Sequence, residues 1–78
     1  MATAHRRRHW KIGINCGEEH LVPHVHVLFR DGFRLSVAID SLEVLAGAVR
    51  PARRLAPALT WIAQHRQELL AEYRRLSP

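Results

Sequence analysis

The chain has 78 residues, 47% of them apolar and 24% charged, a globular balance with material for one domain and one small core. Its one cysteine excludes an internal disulfide framework. No apolar run approaches the ~20 residues of a membrane-spanning helix, and no apolar segment follows the basic N-terminus as a secretory signal requires. The net charge is +5, and all but one of the 12 basic residues are arginine, so the chain's surface favours anionic partners.

Taken in chain order, residues 1–8 hold Arg6, Arg7 and Arg8 with no acid and read as a basic arm. With Arg53 and Arg54 from the C-terminal half they are the candidates for binding a polyanion, above all nucleic acid. The middle of the chain is acidic by contrast, through Glu18, Glu19, Asp31, Asp40 and Glu43. Trp10, Ile12 and Ile14 alternate with Lys11, Gly13 and Asn15, which predicts a strand. Val25, Val27 and Phe29 predict a second, and Phe33, Leu35, Val37 and Ile39 a third.

The loop between the last two strands fixes their register. A two-residue Asp31-Gly32 turn pairs Arg30 with Phe33 and puts the apolar residues of the two strands on opposite faces. A three-residue Arg30-Asp31-Gly32 loop pairs Phe29 with Phe33, Val27 with Leu35 and Val25 with Val37, all on one face. That loop needs a left-handed residue, which Gly32 supplies. His24, His26 and Leu28 then lie on the far face beside Ala38, Ser36 and Arg34.

Asp40–Val49 has two readings. It is a short turn capped by Asp40 or Ser41 and closed by Gly47, or it continues as extended chain. Beyond it, Leu55, Ala58, Leu59, Ile62, Ala63, Leu69, Leu70, Tyr73 and Leu76 recur at helical spacing. Pro57 does not suit a helix interior, so regular helix starts near Leu55 or kinks there. The expected architecture is one α+β domain over residues 1–78. A small antiparallel three-stranded sheet (9–40) packs on a C-terminal helix or helix pair (51–76) in two layers.

The histidines carry the chemistry. His20, His24 and His26 fall within seven residues, and the last two alternate with valines, so they share a face. Three readings follow. The three imidazoles, with Cys16, Glu18 or Glu19 as a fourth ligand, make a candidate zinc site. Alternatively, one histidine acts as base and another as acid, with Arg34 on the same face holding a phosphate. In the third reading the far face is an interface that a partner protein or a second copy covers. Trp61 reads as a core anchor, with His65 four residues on beside it and bonded to backbone.

Three ordered segments then stand out. They are His20, His24 and His26-Val27; Leu42-Glu43-Val44-Leu45 with Gly47; and Trp61 with His65-Arg66 and Glu68-Leu69-Leu70. Together they resemble the small bacterial family catalogued as domain of unknown function 4160, over residues 12–76. Its members typically read D-H-P-P-P-H-F-H-V, then L-E-V-L-E-G, then a tryptophan followed by H-R and E-L-L. Here Glu19 replaces the Asp before the first histidine, Leu21-Val22 replaces two prolines, and Ile14-Asn15-Cys16 stands where the family is aromatic. The resemblance implies a small cytosolic bacterial protein encoded beside a second small protein, in pairs like toxin–antitoxin operons. His20, His24, His26, Trp61 and His65 match its characteristic positions.

The expectation is therefore a small cytoplasmic interaction protein of a toxin–antitoxin-like pair that contacts nucleic acid. The alternative is a small ribonuclease-like hydrolase, metal-dependent or using histidine acid/base chemistry, with His20, His24 and His26 at its centre. No resident cofactor is expected, zinc being the metal this donor set would take. The expected partners are a protein or second copy on the open sheet face, and nucleic acid; no membrane is among them.

Overall fold

The computed structural model describes residues 2–14 and 22–76. Among these, the strands are β1 (Ala2–Arg6), β2 (Trp10–Ile14), β3 (His24–Phe29), β4 (Arg34–Ala38) and β5 (Val44–Ala48). They form one five-stranded antiparallel sheet in chain order. A short 3-10 helix (Ala52–Leu55), α1 (Ala56–Gln64) and α2 (Arg66–Leu76) follow. The class is α+β, but the expected three strands are the inner three of five.

The two additional strands have a common explanation. β1 reads Ala-Thr-Ala-His-Arg and β5 reads Val-Leu-Ala-Gly-Ala, and alanine and glycine are depleted in strands. Pairing with a well-specified neighbour overrides that preference: β1 pairs with β2, and β5 with β4. Residues 2–6 are thus a strand and not a loose basic arm. Gly47 sits within β5 at φ +84° and does not close a helical turn. A Cβ there would lie 2.2 Å from the carbonyl oxygen of Arg34, so glycine is what lets β5 approach β4. The chain reaches β5 through a turn in which the Glu43 N–H donates to Ser41 Oγ at 3.2 Å.

The central hairpin has the three-residue loop. Val25 pairs with Val37 and Val27 with Leu35, the Phe29 N–H donates to Phe33 O at 2.8 Å, and the Gly32 N–H donates to Phe29 O at 3.0 Å. Gly32 is at φ +103°. This register gathers Ile12, Ile14, Val25, Val27, Phe29, Leu35 and Val37 into one buried cluster, which Leu55, Ala58, Ile62 and Leu69 of the helical segment join. Regular helix begins at Ala56, so Pro57 falls in the first turn, where its missing N–H costs no intrahelical bond.

His65 alone separates α1 from α2, and Arg66 Nε donates to Ile39 O at 3.0 Å, fixing the start of α2 at the end of β4. None of the described helices is long and apolar enough to cross a membrane.

On the opposite face the register lines residues up in rows across the strands. One row runs Arg6, Lys11, Leu28, Arg34, Ala48, and the next runs Gly13, His26, Ser36, Ala46. His24 pairs with Ala38 beyond them. The expectation of an open face is corrected here, for the face is open only in part. Gly13, His24, Ser36 and Ala38 are buried, whereas Arg6, Arg34 and Ala48 are exposed and Lys11 and Leu28 half-buried.

Candidate functional site

His24 and His26 share a face, with ring centroids 5.3 Å apart. His24 is fully buried, its Nδ1 donates to Val22 O at 3.0 Å, and Tyr73 of α2 lies 5.8 Å away, centroid to centroid. It is therefore packed against the later half of α2, not presented on an open surface. His26 is half-buried and shares a 3.4 Å hydrogen bond between its Nδ1 and Ser36 Oγ. His20, Cys16, Glu18 and Glu19 lie outside the described residues. No group of three or more His, Cys, Asp or Glu side chains placed to hold a metal occurs among the described residues. Arg34 is in the adjacent row, opposite Leu28, and on the solvent side.

A second assembly forms at the turn end of β1 and β2. The Arg7 N–H donates to Trp10 O at 2.7 Å and the Arg30 N–H donates to His9 O at 2.9 Å, which ties the β1–β2 turn to the end of β3. A cavity of about 480 Å³ opens there, lined by the stretch from Arg6 to Lys11 together with Leu28, Phe29 and Arg30. Among the described residues five cations face it, Arg6, Arg7, Arg8, Lys11 and Arg30, and no carboxylate does. Arg6 and Lys11 are direct cross-strand partners, a like-charge arrangement that weakens a sheet. Arg34, two strands from Lys11 in the same row, extends the positive surface. The ion pairs among the described residues, Arg54–Asp31 and Arg75–Glu72, use none of these groups.

Next to this cavity lies a cleft of about 380 Å³ bounded by His9, Trp10, Phe29, Arg54 and Pro57. His9, Trp10 and Phe29 line both spaces. Arg54 differs from the other arginines. Its Nη1 and Nη2 donate to the two Asp31 oxygens at 2.9 and 3.1 Å, its Nη1 also donates to Arg50 O at 3.0 Å, and its guanidinium lies 5.0 Å from the centre of the Phe29 ring. The hydrogen bonds to Arg54 hold the Asp31 carboxyl below its ordinary value and raise the guanidinium above its own. Arg54 is thus a neutralised, fixed plate, and not a free phosphate contact. Arg53 is exposed on the 3-10 helix.

Trp61 supports this end of the molecule. His5 of β1 stacks on it at 4.3 Å and 16°, and His65 stacks on it at 4.2 Å and 17°. Two imidazoles this close to one indole centre have room only on its opposite faces. His65 Nδ1 donates to Trp61 O at 2.8 Å. His5 Nε2 is buried and makes no hydrogen bond among the described residues. Burial first, then the charges of Arg7 and His65, push the His5 pKa below its ordinary 6.5.

The sequence pointed to the basic N-terminal residues Arg6, Arg7, Arg8 and Lys11 but missed Arg30, His9, Trp10 and Phe29 as their companions. The signal was available in part, since Arg30 opens the loop. The pairing of β1 with β2 and of β2 with β3 brings them together.

The family model described as a domain of unknown function (DUF4160) matches residues 10–74. No curated protein and no solved structure matches the chain.

Proposed function

The chain belongs to the family catalogued as domain of unknown function 4160, and from that premise we propose that it is a small interaction protein that contacts nucleic acid through the cationic end of its sheet. One observation carries the reading: Arg6, Arg7, Arg8, Lys11 and Arg30 surround a single cavity with no carboxylate on its wall among the described residues. Fixing like charges side by side costs stability, and a polyphosphate backbone supplies the compensating charge. The resemblance to toxin–antitoxin-like pairs supports a protein partner as well. The exposed edge strand β5 offers such a partner unpaired backbone.

The test is equilibrium binding of labelled oligonucleotides by the full chain, followed across salt concentrations. Affinity is expected to fall as a power of salt concentration, with an exponent of about 0.7–0.9 per phosphate contact. The combined change Arg6→Ala, Lys11→Ala and Arg34→Ala is expected to weaken binding and flatten that slope by about 2–3. Binding absent even at low salt, or unchanged in the triple variant, would refute the reading.

A further inference from the structure

We infer that the site takes a single strand, with phosphates in the cationic cavity and one unpaired base in the adjoining aromatic cleft. This rests on the nucleic-acid reading above and goes further, because it assigns the second cleft. The two spaces share His9, Trp10 and Phe29 as a common wall, so a ligand in one continues into the other without leaving the protein surface.

Their chemistries differ. The first holds five cations free of ion pairs among the described residues. The second holds flat rings, a proline and one guanidinium whose charge Asp31 already neutralises. Such a cleft gains little from a phosphate. It matches the π-face of a nucleobase, which stacks on aromatic rings and on guanidinium planes irrespective of base identity. Trp10 is half-buried and His9 exposed, so both offer a ring to an incoming base, while Phe29 is the buried floor. A duplex keeps its base faces inside its own stack. It reaches the cationic row but leaves the cleft unfilled.

The experiment compares four ligands of equal length on the unaltered full chain. They are single-stranded RNA, single-stranded DNA, the DNA strand annealed to its complement, and an abasic single strand carrying the same phosphates. At fixed low salt the base-bearing single strands are expected to bind about tenfold more tightly than the abasic strand and than the duplex, the scale of one stacked base. The RNA and DNA arms identify which strand is preferred. Trp10→Leu and, separately, the surface change His9→Ala are expected to erase the difference between base-bearing and abasic strands, the two strands being compared within the same variant. Equal binding of abasic and base-bearing strands, with Arg6→Ala and Lys11→Ala still weakening both, would overturn the base cleft and leave the phosphate reading standing. No binding of any of the four would overturn both.

Discussion

Gly32 and Gly47 both sit at positive φ, yet replacing them has different consequences. Nothing lies within 4 Å of a Cβ placed on Gly32, whereas one on Gly47 meets the Arg34 carbonyl oxygen at 2.2 Å. Gly32→Ala therefore carries backbone strain alone, about 1 kcal/mol. Gly47→Ala adds a clash with backbone that cannot rotate away, and is expected to cost about 3 kcal/mol or more. Denaturant unfolding of the two variants checks the order, and equal losses would contradict it. Gly32 was legible because only one loop length puts Phe29 and Phe33 on the same face. Gly47 was not, since its reason is the approach of a strand that the sequence signals weakly. His24 was half legible: alternation with Val25 and Val27 placed its face, but its neighbour Tyr73 lies nearly fifty residues away, which no local pattern reveals.

At the scale of elements, the inner strands and the helical stripe were readable because periodic apolar residues face one core. β1 was not, and β5 was only one of two open readings of Asp40–Val49, because alanine and glycine carry little strand preference. The helical layer is held by residues such as Ile62, fully buried in the main cluster. Ile62→Ala is expected to lower stability by about 3 kcal/mol, within the range for a buried isoleucine truncation, as thermal or denaturant melts will register. β1 is joined to that layer by His5 against Trp61. The His5 pKa is lowered in the fold, so below 6.5 the unfolded chain takes up a proton that the folded chain resists. The stability this supplies is intact above pH 6.5 and is lost as pH falls through the folded value. Denaturation midpoints should drop from pH 7.5 to 5.5, and His5→Phe should reduce that drop. A pH dependence identical in the variant would exclude His5 as its source.

For the whole molecule, the arrangement separates tasks along the sheet. One end is closed around His24 and Tyr73, and the other gathers uncompensated positive charge around the β1–β2 turn. Among the described residues each strand pairs with the one before it, and every helix follows the last strand. During synthesis the sheet can therefore assemble hairpin by hairpin as it leaves the ribosome. Its apolar face stays wet until the final third of the polypeptide emerges, for Leu55, Ala58, Ile62 and Leu69 all lie there. A product ending at Arg50 is expected to bind a hydrophobic dye, aggregate and be cut rapidly by added protease, whereas the full chain resists. A premature stop in the helical third would then yield a sticky sheet for the cell's chaperones and proteases to clear, and not a shortened working protein.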